Sequence, residues 1–206
     1  GEWMAAFDAP SAYLLVHLHH FPNVSPQEAF DTLHEELDKL ALSHLSRAPN
    51  CPVRAVDIGC GVGTSTFSTL RSLERAGRSG QLTGVDLSDY FITVAQYIKA
   101  ESKAGSGDVS LNFLHGDGLD LASCGFPDDS VDLVTISEVT HEMPKAVSAE
   151  LFKEAARVLA PGGVLGYMDL NPVQILKENA VGNLVDRIAT QNEPYFAEYL
   201  LLDVAG

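Results

Sequence analysis

The short run Val53-Arg54-Ala55-Val56-Asp57-Ile58 passes directly into Gly59-Cys60-Gly61-Val62-Gly63, and helical sequence restarts at Thr64. This junction constrains the chain more than any other feature. A strand of buried composition that breaks into glycines and re-emerges as a helix opens a parallel α/β sheet. Glycine in such a loop permits positive φ and lets ligand atoms approach the backbone. The helix start beyond it presents unpaired amides. The spacing is Gly-x-Gly-x-Gly, led by Asp57 two residues earlier. A dinucleotide loop, Gly-x-Gly-x-x-Gly, needs glycine at position 64, where Thr64 stands. A tight turn with no ligand would use the same glycines.

The rest of the chain repeats the alternation of strand and helix. Strands are predicted at 81–86, 109–115, 131–136 and 164–170, and helices at 64–75, 88–103 and 145–159. Such alternation predicts an α/β fold: a Rossmann-like, mostly parallel sheet with helices on both faces and right-handed connections. Residues 1–50 read as an N-terminal helical cap. Its second helix starts at Pro26 behind Ser25, with Ala29, Leu33, Leu37, Leu40 and Leu45 on the inner face and Glu35, Glu36 and Lys39 outside. Residues 51–172 form the core. Residues 173–206 read as a helical segment placed to close over an acceptor.

Composition narrows the function. The 206 residues are 46% hydrophobic and 20% charged, as in a folded soluble domain. The net charge is −15, with no basic patch, so nucleic acid is not expected as a partner. No apolar run approaches the roughly 20 residues that span a bilayer, so no membrane partner is expected. Cys51, Cys60 and Cys124 have no paired spacing, which points to a reducing compartment, the cytoplasm or an organelle interior. The opening Gly1-Glu2-Trp3 is an unusual natural start, and a targeting peptide would precede it. His17-Leu18-His19-His20 lacks companion ligands, so no metal is expected.

Two more acids fall where sheet ligands bind. Gly84-Val85-Asp86-Leu87 ends the second strand, a little over 20 residues past the glycine loop, where a carboxylate can take ribose hydroxyls or merely cap a helix. Gly116-Asp117-Gly118 follows the third strand, where an acid can face an adenine amino group or form a plain turn.

Asp57-x-Gly59-x-Gly61-x-Gly63, Asp86 and Asp117 together resemble the cofactor-contacting motifs of class I methyltransferases, which use S-adenosylmethionine (SAM). The resemblance extends through Phe126-Pro127-Asp128-Asp129-Ser130-Val131-Asp132-Leu133-Val134 and Leu159-Ala160-Pro161-Gly162-Gly163-Val164-Leu165, which are similar to the small-molecule branch. It implies that Asp57, Gly59, Cys60, Gly61 and Gly63 hold the methionine part of SAM. Asp86 and Leu87 would hold ribose and adenine, and Asp117 with Gly118 the adenine edge. The product would be S-adenosylhomocysteine (SAH). Ser137-Glu138-Val139-Thr140-His141-Glu142 follows the fourth strand, with Ser137 placed toward the cofactor and His141 and Glu142 as candidate catalytic groups; His141 is the preferred base, or else it positions the acceptor or SAM, or caps the next helix. Asp169 ends the fifth strand as an acceptor contact, a metal contact or a turn acid.

These residues predict methyl transfer to a small-molecule oxygen, nitrogen or sulfur. Three alternatives remain: a thioether S-methyltransferase needing no base, a non-catalytic SAM-binding subunit, and a nicotinamide dehydrogenase. The resemblance also implies two strands after the fifth, for which no apolar run remains. The chain is therefore expected to be incomplete, with an open edge at the fifth strand that some other element, or a second copy as a homodimer, would cover.

Overall fold

The computed structural model describes residues 26–169 and 195–199. The helices expected over 10–20 and 173–189 lie outside these residues, as does Ser25. Five strands form one all-parallel sheet: β1 Val53–Ile58, β2 Gly80–Asp86, β3 Val109–His115, β4 Val131–Ser137 and β5 Leu159–Met168. Their order is β3-β2-β1-β4-β5. The helices are α1 Pro26–His44, α2 Thr64–Arg75, α3 Asp89–Ser102, α4 Lys145–Val158 and the single turn α5 Phe196–Tyr199.

Alternate residues of β1 serve opposite faces of the sheet. Val53 and Ala55 pack with Ala41 of α1, Leu70 and Leu73 of α2, and Ile92 and Ala95 of α3. Val56 and Ile58 pack with Leu151, Ala155 and Val158 of α4 and with Leu121 and Phe126 from the β3–β4 connection. Right-handed crossovers require this division. The chain steps outward from β1 through β2 to β3, then turns back and steps the other way from β4 to β5, so α4 falls on the opposite face. The reversal lies between β1 and β4. Their carboxyl ends flank the crevice in which open α/β sheets bind ligands. Strand alternation also sends Asp57 to the face of Val53 and Ala55, into the seam beneath α1 and α2.

The structure corrects two local expectations. In α1, Leu40 is 60% exposed, and the buried positions are Phe30, His34, Asp38 and Ala41, followed by Leu45 just past the helix. The inner stripe therefore runs through two ionisable residues. Its partner explains why: α2 buries Ser65, Thr66, Ser68 and Thr69, so a polar face meets a polar face. Thr69 donates to Asp38 Oδ1 at 2.9 Å, and His34 Nδ1 donates to the Phe30 carbonyl at 2.9 Å. In β5, the strand begins at Leu159 instead of 164. Pro161-Gly162-Gly163 lies inside it as a bulge, the pairing stepping from Val131↔Leu159 to Leu133↔Val164. Leu159 is already extended where α4 ends, so no separate turn is needed. Among the described residues the sheet ends at β5.

Candidate functional site

The glycine loop is held from two sides. Gly59, at φ +71°, has room for no side chain: a Cβ there would lie 2.5 Å from Val139 Cγ2, so the missing methyl lets the loop after β4 pack against the loop after β1. Gly61, at φ +53°, is different. A Cβ there would meet nothing within 4 Å. The protein's own packing leaves open space over Gly61, which a ligand can use. Its amide donates to Asp86 Oδ2 at 2.8 Å, and Ser88 N–H donates to Asp86 Oδ1 at 2.8 Å. An ionised carboxylate has about four acceptor sites, so Asp86 keeps capacity for further donors.

Asp57 is 1% exposed, and protein hydroxyls surround its carboxylate. Ser65 (2.7 Å) and Thr66 (2.6 Å) donate to Oδ2, and Thr135 (2.7 Å) donates to Oδ1. Burial raises its pKa, and the three hydroxyl donors oppose that rise. The residue therefore splices β1 to β4 and to the first turn of α2, bracing the loop from below. Cys60 is buried beside it, and desolvation raises the thiol's pKa.

The remaining sequence-predicted cofactor residues lie along the same carboxyl edge. Leu87 is 69% exposed beside Asp86. Asp117 is exposed and accepts from Leu119 N–H at 2.8 Å. Gly118 is needed for packing, since a Cβ there would lie 2.6 Å from Ile58 Cγ2. Ser137, at the end of β4, is 8% exposed, and among the described residues its Oγ has no hydrogen-bond partner. Such an orphaned hydroxyl is uncommon in a folded protein and fits a site that receives a polar ligand.

The loop after β4 holds the candidate catalytic groups. Glu138 is 8% exposed and sits at φ +59°, a conformation that costs a non-glycine residue about 1–3 kcal/mol and clusters at functional sites. It opens a 3-10 turn, Thr140–Glu142. In that turn His141 has a side chain 6% exposed, with Nδ1 2.7 Å from Asp169 Oδ1, whose own side chain is 1% exposed. An ionised carboxylate only accepts, so Nδ1 carries the proton and Nε2 is the basic nitrogen. Asp169 Oδ2 accepts from Thr140 N–H at 2.8 Å and from Thr140 Oγ1 at 2.6 Å. Tyr167 Oη lies 2.8 Å from Thr140 Oγ1. Glu142 is exposed.

Asp169 thus accepts the His141 Nδ1 proton and holds the orientation of the ring. The sequence offers it as an acceptor contact, a metal contact or a turn acid, and singles out neither Thr140 nor Tyr167. A usable signal existed. β4 and β5 are adjacent and parallel with Ser137 opposite Met168, so residues just past both strands are neighbours.

A parallel sheet with order 3-2-1-4-5, a glycine loop after its first strand and an acid ending its second defines a Rossmann-like domain built for a nucleoside-bearing ligand. Within that class, the methyltransferase domain family matches residues 56–166, more than half of the chain, and the chain belongs to that family. A demethylmenaquinone methyltransferase of Staphylococcus aureus is 34% identical over 113 residues, covering 55% of this chain and 41% of that protein. The match thus spans about two fifths of the length of its curated relatives. The solved PH0226 protein of Pyrococcus horikoshii superposes with a TM-score of 0.58 at 22% identity, covering 80% of this chain and 70% of that one. The plantazolicin methyltransferase BpumL, solved in complex with SAH, superposes with a TM-score of 0.57 at 19% identity, covering 84% and 63%. Both share the fold. Among the described residues no helix is long and apolar enough to cross a membrane.

Proposed function

We propose that this domain transfers the methyl group of SAM to a small-molecule acceptor whose proton passes to His141. The observation that carries this reading is the His141–Asp169 pair at 2.7 Å, placed just beyond β4, next to the strand that bears the glycine loop. The residues present fit SAM. Open space lies over Gly61, Asp86 retains acceptor sites, and among the described residues the Ser137 hydroxyl lacks a partner. When bound, SAM supplies an electrophilic methyl on a sulfonium, which departs as a neutral thioether. Gly59, Gly61 and Gly63 would lie along its methionine part, braced through Cys60 and Asp57. Asp86 and Leu87 would hold the ribose and adenine, and Asp117 with Gly118 the adenine edge.

His141 holds the acceptor and takes its proton at Nε2, while Asp169 keeps Nδ1 protonated and steadies the imidazolium. Glu142, exposed beside it, supplies negative charge at the mouth of the site. A thioether acceptor would need no base, so the buried pair favours an acceptor that loses a proton. A non-catalytic subunit would have no use for it. The name of the curated relatives makes reduced quinone rings the first acceptors to try. The free cysteines support a reducing compartment, and among the described residues the edge of β5 has no neighbouring strand and is a surface that a homodimer would cover.

The test is transfer of labelled methyl from SAM to a panel of hydroxylated rings and small amines, thiols and thioethers. Wild-type protein should methylate a proton-losing acceptor. His141→Ala should lose about 10²–10⁴-fold in turnover, the span of general-base roles, with SAH affinity little changed. SAH binding without any transfer would leave a binding subunit. Full turnover by His141→Ala would remove the base.

A further inference from the structure

Leu87 stands out from the ligand edge of the sheet as a large apolar side chain, on a backbone that is held on both sides of it. The Asp86 carbonyl accepts Gly116 N–H at 2.9 Å, and the Asp86 carboxylate accepts Ser88 N–H at 2.8 Å. The Leu87 carbonyl between them is taken by a side chain: His115 Nε2 lies 3.0 Å from it. A carbonyl oxygen only accepts, so Nε2 carries the proton and donates. His115 is the last residue of β3 and is paired in register with Asp86, the last of β2. Its imidazole therefore adds one more bond to the β2–β3 pairing, just past the end of β2.

A single exposed leucine is ordinary on a protein surface. Leu87 differs in that its mount is fixed before any ligand arrives. A ligand packing on a loose residue must order that residue itself, and a bond that orders it in advance raises affinity by removing that cost. The neighbours of Leu87 suit a flat ring with polar edges. Asp86 keeps acceptor capacity beside it. Asp117, exposed and two residues past His115, has one carboxylate oxygen on Leu119 N–H and can accept further donors. The end of β3 thus supplies both the prop under the apolar wall and the acid at its edge.

We propose that His115 is a positioning residue for the cofactor: its Nε2–H holds the Leu87 carbonyl, so that the leucine side chain is set in advance as the apolar wall for the adenine ring. The proposal rests on the reading of the Asp86 edge as the nucleoside site. His115 acts through Leu87 and need not touch the ligand. Two chemical demands follow. The group at position 115 must donate from where Nε2 lies. The amide nitrogen of glutamine stands as many bonds from the backbone as Nε2 does, whereas that of asparagine is one bond short. The prop must also have something to present, so its effect should vanish once the leucine side chain is removed. The bond is exposed and water competes for it, which keeps the expected effect to a few-fold.

Calorimetric titration of SAH into the protein tests this without an acceptor, with melting curves on the same samples to show that each variant is folded. His115→Ala and His115→Asn should weaken SAH about three- to tenfold, the net effect of one hydrogen bond. His115→Gln should stay within about twofold of wild type, since its amide replaces the donor. Leu87→Ala should also weaken SAH, and adding His115→Ala to it should cost less than about twofold more, because residues that act as a unit are not additive. A histidine that served only the fold would instead lower the melting temperature and cost the same in both backgrounds. Wild-type affinity in His115→Ala overturns the proposal. So does the full His115→Ala loss on top of Leu87→Ala, or glutamine failing as badly as asparagine. No SAH binding by the wild-type protein removes the nucleoside site itself, and the positioning role with it.

Discussion

Asp86, the last residue of β2, accepts the Gly61 amide at 2.8 Å and so ties the end of one strand to the loop that follows another. The acid does two things at once: it sets the shape of the glycine loop and leaves acceptor sites toward the ligand edge. Asp86→Ala should weaken SAH binding by about 1.5–3 kcal/mol, the range for a hydrogen bond to a charged group. Isothermal calorimetry reads this directly. An unchanged affinity would move the nucleoside away from β2.

Gly59 and Gly61 should fail in different ways. Gly61→Ala meets no protein atom, so the fold should lose only about 1–2 kcal/mol for the left-handed backbone, while SAH affinity drops at least about tenfold, or 1.4 kcal/mol. Gly59→Ala drives its methyl into Val139, so stability should suffer first. Shortening the obstacle in Gly59→Ala/Val139→Ala should recover part of the loss. Melting and binding on the same samples separate the two. Equal binding losses with equal stability losses would show that Gly61 serves the fold alone.

Asp57 is a brace whose loss should be felt in folding. Asp57→Ala strands the Ser65, Thr66 and Thr135 hydroxyls in the core. Buried donors without acceptors cost about 1–3 kcal/mol each before relaxation, so a net loss of about 2–4 kcal/mol is expected in denaturant titrations. Asp57→Asn should fall between. A loss under about 0.5 kcal/mol, the level of a typical surface change, would show that the seam repacks freely.

Asp38 gives the fold a pH dependence of definite sign. Desolvation between α1 and α2 pushes its pKa from 3.8 up to about 7, against the opposing hydrogen bond of Thr69. The folded state therefore binds the proton more tightly than the unfolded chain. This group's contribution is fully present below about pH 4 and is lost as pH rises through about 7. Asp38→Asn does not titrate. Relative to wild type it should gain stability steadily from pH 4 to pH 8, by on the order of 2–4 kcal/mol at the top of that range. Urea titrations at pH 4, 6 and 8 measure the difference. A gap independent of pH would mean that Asp38 stays charged in the folded protein.

Much of the architecture was legible because its signals are local. A buried parallel strand is a continuous apolar run, a helix start has its cap, and a loop at positive φ requires glycine. β1, β3, the Ser88 cap of α3 and the glycine loop all follow from such neighbourhoods of a few residues. Local signals failed in α1, where hydrophobic periodicity favoured Leu40 and passed over His34 and Asp38. Those two are buried because the facing surface of α2 is hydroxyl-rich, a property of another helix altogether.

The sequence by itself thus determined the order of strands and helices, the ligand edge of the sheet, and the Asp57, Gly61 and Asp86 positions along it. Each depends on residues adjacent in the chain. The tertiary structure alone decided the geometry of the candidate site. His141 and Asp169 lie 28 residues apart. They meet because β4 and β5 pair in parallel register. No local propensity encodes a hydrogen bond between groups so distant in the chain. Only the packed sheet, which fixes where each strand ends, brings a hydroxyl and an imidazole each within 3 Å of the same acid.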